Sequence, residues 1–351
     1  MSKTITISDI ARQMDVSKTT VSRILNGKSD VAPETKERIL KYIGQMGYVP
    51  SALARSLSKG HSHLVGIVVP SLTDAWTLEL LRGVSEIVER SPYNIVLFAL
   101  GTAETTRTFL ETTLPMGLLA GLILVLPPPN LTQINSLLSS DFPVILIDDR
   151  GDYPGYGSIS VTNYQGAWDA TKHLLQLGHT RIGYISGPLE ARYFRDRLAG
   201  YKAALADAGV VPEKELVTIC EATKAGAADV VRGWLKGIPP TAIFASIDMM
   251  AYGALETLLA DGKHVPEDIA LVGFDDLPAS AYLQPPLTTV KEPMVLMGQT
   301  AAQLLLEWVQ SGALTRKHVE LHTELIIRAS CGAKMAGNSL GKSMMKEDID
   351  P

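Results

Sequence analysis

The sequence predicts two structural classes in series: a small helical module over the first sixty residues, then an α/β body of two doubly wound parallel sheets. Three observations support this. The N-terminal region shows short stretches with apolar residues at helical spacing, punctuated by turn residues. From residue 64 short apolar runs alternate with amphipathic stretches over about 270 residues, the pattern of buried parallel strands with covering helices. Charge divides at the same boundary. Residues 1–60 hold ten Lys/Arg against five Asp/Glu, whereas the remainder holds 22 against 32.

The overall net charge of −5 conceals that division. A basic module on an acidic body suits an anionic partner for the first part alone. A length of 351 residues allows two or three domains, and 46% hydrophobic composition allows a large core. Cys220 and Cys331 have no metal-ligand spacing and form no framework of pairs, as expected in a reducing cytoplasm. The opening "MSKTITISDIARQMDV" lacks an apolar signal core. The richest apolar run, "GLLAGLILVLPPP", stops at prolines short of a membrane span. The expectation is a cytoplasmic, soluble protein with no membrane partner.

Within the first module, "TISDIARQMDV" reads as a helix with Ser8 as N-cap and Ile10, Ala11 and Met14 facing inward. "DVSKTTVSRILNG" begins a second helix, capped by Ser17, with Val21, Ile24 and Leu25 inside and Gly27 at its end. "APETKERILKYIGQMGY" is a third, with Pro33 near its start, Ile39, Leu40 and Ile43 inside, and Gly47 beyond it. Three short helices with a tight first turn form a helix-turn-helix unit. Taken alone, the Ser, Thr, Lys and Arg residues of the second helix describe any solvated face. In this unit they lie at the end that a recognition helix presents to DNA. Lys18 and Arg23 can donate to guanine O6 and N7, and Thr19 can offer a methyl to thymine. Thr6, Ser17, Ser22 and Asn26 suit phosphate oxygens, which position the module without reading sequence. The "SALARSL" that follows is a short helix former, marginal alone, that orders only when something packs on it.

Residues from "TISDIARQMDVSKTTVSRILNG" through "YVPSALARSL" resemble, without a gap, the DNA-binding headpiece and hinge helix of the lactose/galactose repressor (LacI/GalR) family. The resemblance implies that Lys18, Thr19 and Arg23 are the major-groove readers. It further implies that Leu57, flanked by Ala54 and Arg55, enters the minor groove at the operator centre as an apolar wedge.

In the body, "LVGIVVP", "YNIVLFALG", "GLILVLP", "FPVILID", "SISV", "RIGYISG", "ELVTICE", "TAIFAS" and "ALVGFDD" read as buried strands. "TLELLRGVSEIVER", "AWDATKHLLQLG" and "AYGALETLLADG" read as helices between them. Ligands of such sheets bind beyond the carboxyl ends of the strands. "RDRLAGYKAALADAG", "VPEDIALVGFDD" and "LQPPLTTVKEP" are similar to the effector-binding core of the same family, which resembles periplasmic sugar-binding proteins. The implied organisation is a headpiece over 1–50, a hinge and linker over 51–61, a two-lobed effector-binding and dimerisation core over 62–333, and a disordered tail over 334–351.

The resemblance places Arg197, Asp275, Trp76, Thr77 and Asp148 at the effector. Each also has an ordinary structural reading: a helix-start ion pair for Arg197, a turn cap for Asp275, a packed aromatic for Trp76, and for Asp148 the neighbouring Asp149 and Arg150 as rivals in pairing. Two departures weaken an ordinary monosaccharide as effector. Ile247 stands where the family usually has a polar Asn, and "CEATKAGAADVV" lacks the aromatic that often stacks on the ligand.

No phosphate loop, Ser-His-Asp set or paired-carboxylate motif with local support is present, so neither an enzyme nor a cofactor is expected. His61 and His63 lack nearby metal-ligand partners and read as linker. The expected protein is a homodimeric, effector-controlled repressor of carbohydrate-related genes on a pseudo-palindromic operator of about 14–20 base pairs. The alternatives are an activator, a corepressor-dependent regulator with a non-sugar effector, or a cytoplasmic ligand-binding protein.

Overall fold

The computed structural model describes residues 6–25, 31–46, 62–127, 142–147, 156–314 and 318–333. Asn26, the hinge residues Ala54, Arg55 and Leu57, Asp148, the tail from 334, and the helix-ending glycines Gly27 and Gly47 lie outside the described residues.

Three helices open the chain: α1 (Ile7–Gln13), α2 (Lys18–Leu25) and α3 (Pro33–Gln45). Their apolar stripes converge, burying Ile10, Ala11, Val21, Ile24, Ile39 and Ile43. The first N-cap is Thr6 rather than Ser8. Thr6 has Asp9 three residues on, so the two close a reciprocal capping box: the Thr6 hydroxyl accepts from Asp9 N at 3.3 Å, and the Asp9 carboxylate accepts from Thr6 N at 3.1 Å. Leu40 does not face inward. Ile39 and Ile43 are four apart and share a stripe, while Leu40 is turned about 100° away and is 44% exposed.

Among the described residues the body forms two six-stranded sheets. In the first the order is β11-β5-β4-β3-β1-β2, comprising β1 (Leu64–Val69), β2 (Asn94–Ala99), β3 (Gly121–Val125), β4 (Val144–Ile147), β5 (Gly157–Val161) and β11 (His318–Leu321). Every pairing in it is parallel. In the second the order is β12-β10-β9-β8-β6-β7, comprising β6 (Ile182–Ser186), β7 (Val217–Ile219), β8 (Ala242–Ala245), β9 (Ala270–Asp275), β10 (Thr288–Lys291) and β12 (Glu324–Ile326). Only the β10–β12 pairing of these strands is antiparallel. The central strands are buried along their length, as continuous Val/Ile/Leu runs require.

Seven helices cover the described sheets: α4 (Ala75–Val88), α5 (Ala103–Thr112), α6 (Asn163–Gln176), α7 (Arg192–Asp207), α8 (Lys224–Leu235), α9 (Asp248–Ala260) and α10 (Met294–Ser311). The chain passes between sheets three times, after Val161, after Lys291 and after Leu321. The long α10 returns to the first lobe and packs on α4. Two glycines allow that approach. A Cβ on Gly298 would stand 2.1 Å from the Leu80 carbonyl oxygen, and one on Gly83 would stand 2.0 Å from that of Val295. The backbones touch where any side chain would part them.

Candidate functional site

The first site is one face of α2. The Ser17 hydroxyl accepts from Thr20 N at 3.0 Å and lies 2.8 Å from the Thr20 hydroxyl, which fixes where the helix begins. Val21 and Ile24 then point into the headpiece core. Lys18, Thr19 and Arg23 are exposed, and Ser22 is half-buried. The predicted base readers thus lie on the outer surface. Thr6 is exposed, with its hydroxyl 2.6 Å from the Asp9 carboxylate in the cap. A positive, hydroxyl-bearing helix N-terminus suits the edge of a nucleic-acid groove.

The second site is a cleft where the lobes meet, with a cavity of about 100 Å³. Its walls follow the carboxyl ends of strands. Asp74 and Trp76 come after β1, Leu126 after β3, Ile247 and Met249 after β8, Asp275 and Leu277 at the end of β9, and Glu292 after β10. Tyr193 and Arg197 enter from α7. The backbone is strained on both sides of the cleft: φ is +49° at Leu126, +118° at Asp275 and +58° at Asp276, none of them glycine. Arg328 braces this turn, donating to the Asp276 carboxylate at 2.7 Å and to the Leu287 carbonyl at 2.8 Å.

Arg197 is 2% exposed and sits in the middle of a buried charge cluster. Its Nε donates to Asn163 Oδ1 at 2.8 Å. One Nη donates to the Ser246 carbonyl at 2.8 Å and to Asp275 Oδ1 at 3.2 Å. The other Nη donates to Glu292. The guanidinium also lies over the Phe274 ring, 3.6 Å from its centroid. Trp76 completes the bridge from the first lobe, its indole N–H donating to the second Glu292 oxygen at 2.6 Å. Burial raises the Asp275 carboxyl well above the ordinary carboxylate range; Arg197 opposes this, and the negative charges of Glu292, Asp248 and Asp74 add to it.

Behind the cleft a second buried carboxylate ties three segments together. Asp248 accepts from Leu277 N at 2.9 Å, from the Ser280 hydroxyl at 2.5 Å and from the Thr289 hydroxyl at 2.6 Å. Burial pushes its carboxyl up to about 7, with the three hydrogen bonds pulling the other way. The acid beside Ile247 therefore has a bracing position, whereas Ile247 itself faces the cavity.

Of the predicted effector residues, Trp76, Arg197 and Asp275 meet in this cleft. Thr77 does not line it: the side chain is fully buried, with its hydroxyl 3.3 Å from Asp74 on the inner face of α4. Glu292, Tyr193 and Asn163 were not singled out by sequence reasoning. Glu292 lies 216 positions from Trp76 and 95 from Arg197, and no local pattern marks it. Its place in "VKEP", just after the short strand β10, was the available signal.

Residues 6–51 match the model for bacterial regulatory proteins of the lacI family, and residues 171–331 match a periplasmic binding protein-like domain. Over 328 residues the chain is 32% identical to the HTH-type transcriptional repressor PurR of Photobacterium profundum, covering 93% of this chain and 98% of that protein. The chain belongs to the LacI family. Within that family it is also 30% identical to catabolite control protein A of Priestia megaterium, covering 93% of this chain and 99% of the relative. Among solved structures it is similar to the lac repressor dimer bound to operator and the anti-inducer ONPF, with a TM-score of 0.78, 27% identity, and coverage of 94% of this chain and 100% of that one. A second likeness is to the complex of the transcriptional regulator CelR with cellobiose, with a TM-score of 0.71, 28% identity, and coverage of 93% and 99%. This LacI-family chain is thus a DNA-binding transcription regulator with a helix-turn-helix headpiece and a periplasmic-binding-protein-like effector core. Among the described residues no helix is long and apolar enough to cross a membrane.

Proposed function

We propose that this regulator is a cytoplasmic homodimeric repressor that holds a pseudo-palindromic operator through paired α2 helices and answers to a small-molecule effector in the interlobe cleft. The observation that carries the proposal is the cleft itself. It brings Trp76 from one lobe and Arg197 and Asp275 from the other around one cavity, with Glu292 joining them. A ligand seated there touches both lobes, so it favours one lobe arrangement over another and can shift operator affinity. The kinship with PurR supports repression, and the likeness to the cellobiose-bound regulator supports a carbohydrate-related effector. The apolar wall of Leu126, Ile247, Met249 and Leu277 calls for an effector with one apolar face rather than a bare polyol. Lys18, Thr19 and Arg23 read bases, Thr6, Ser17, Ser22 and Asn26 hold phosphates, and Leu57 with Ala54 and Arg55 wedges the minor groove.

The test selects operator sequences with the full chain, then measures operator affinity with and without sugars, sugar derivatives and nucleosides. A selected site with two-fold symmetry and a ligand that changes its affinity are the expected results. An asymmetric site, or affinity indifferent to every ligand that stabilises the core, would sink the reading. Leu57→Ala is expected to weaken operator binding more than binding to random DNA. Equal losses would remove the wedge.

A further inference from the structure

The charges around the cavity do not balance. Among the described lining residues there are three carboxylates, Asp74, Asp275 and Glu292, and one cation, Arg197. Asp74 has local compensation, because it caps α4 and accepts from Trp76 N at 3.3 Å at the positive end of that helix. Asp275 and Glu292 share a single guanidinium. Nε and both Nη nitrogens of that guanidinium are already engaged with protein acceptors. An incoming phosphate or carboxylate would have to displace one of these bonds and place a further negative charge beside two others. In a buried site both steps are unfavourable.

We propose that the cleft selects an effector carrying a basic nitrogen, such as an amino sugar or another small amine, with Glu292 as the specificity-determining residue. The cation would meet Asp275 and Glu292 from the cavity that both line, beside the guanidinium that already joins them, and the ligand's apolar face would lie against Trp76, Leu126 and Leu277. The inference rests on the reading of this cleft as the effector site and goes further by naming the ligand's charge. Glu292 has two roles here: it occupies Arg197, denying that arginine to anions, and it supplies the excess negative charge. The elevated Asp275 carboxyl fits the same imbalance, since a proton there neutralises the charge that a cationic ligand would otherwise balance.

Three probes of one shape but different charge test this: benzylammonium, benzyl alcohol and benzoate, at matched concentration and ionic strength near neutral pH. Their binding to the full chain is measured by calorimetry and thermal stability. The expected order is benzylammonium first, with benzoate weaker by about tenfold or more, the effect of one favourable charge contact. Glu292→Gln is expected to remove or invert that order, and Asp275→Asn serves if the first variant fails to fold. Benzoate binding as tightly as benzylammonium, binding by none of the three, or an order unchanged in the variants would overturn the proposal. Operator binding of the same samples without probe is recorded in parallel. If it is retained while the charge order fails, only this inference falls; if operator binding is absent, the regulatory reading falls with it.

Discussion

Replacing Arg197 with methionine removes the one cation of the buried cluster while keeping much of its volume. The side chain makes four described hydrogen bonds, two of them to carboxylates. Asp275 and Glu292 are 6% and 4% exposed, so water cannot take over for the lost guanidinium. Breaking a buried ion pair by removing one partner costs about 3–5 kcal/mol. The structure also predicts how that cost varies with pH. Burial already raises the Asp275 carboxyl above its unfolded value. Its contribution to stability is therefore fully present below the unfolded pKa and is lost as pH rises through the folded one. Without Arg197 the folded value rises further, so the variant loses more stability than the parent as pH rises. The assay is urea unfolding of the full chain at pH 5.5 and pH 8 at constant salt. The expected deficit is about 3–5 kcal/mol at pH 8 and distinctly smaller at pH 5.5. A deficit below about 1 kcal/mol, or one equal at both pH values, would show that the cluster is not organised as argued.

Gly298→Ala should destabilise the core by about 1–3 kcal/mol, because α4 and α10 must part, whereas Gly233→Ala, with open space around it, should be neutral or stabilising in the same denaturation assay. Equal effects would mean that the close helix approach is unimportant. Asp248→Asn should flatten the fall in stability between the unfolded value of 3.8 and about 7, where the parent's raised carboxyl gives a slope of up to about 1.4 kcal/mol per pH unit. Unfolding at several pH values reads this as the difference between parent and variant, and a variant whose pH slope equals the parent's contradicts the assignment. Arg23→Ala should relax base preference at one position of each operator half-site by about 1–3 kcal/mol, measured by competition among sites differing at single base pairs. A uniform loss at all sites would make Arg23 a phosphate contact.

Strong local periodicity was sufficient for most of the fold. Strands such as "LVGIVV" and "ALVGFD" are continuous apolar runs because both faces are covered, and that burial is visible in any short window. The last two strands of the second sheet, interior β10 and edge β12, were less legible. β10 is "TTVK" and β12 is "ELI", short and partly polar, paired with each other only after the chain has visited the other lobe. Leu40 shows the limit of counting apolar residues: being hydrophobic did not place it inside, because three short helices bury only a narrow stripe.

The sequence by itself determined the helix-turn-helix, its outward Lys18, Thr19 and Arg23, the alternation that builds two largely parallel sheets, and Trp76, Arg197 and Asp275 as candidates for one ligand site. The tertiary structure decided what those groups meet. Thr77 turns to Asp74 within its own helix start, Asp248 gathers Leu277, Ser280 and Thr289 from within the second lobe, and Glu292 joins Trp76 to Arg197 because the fold brings segments from both lobes to one cleft. The physical reason is range. Backbone pattern acts over a few residues, whereas a charge in a low-dielectric cleft is governed by its neighbours in space, whatever their separation along the chain.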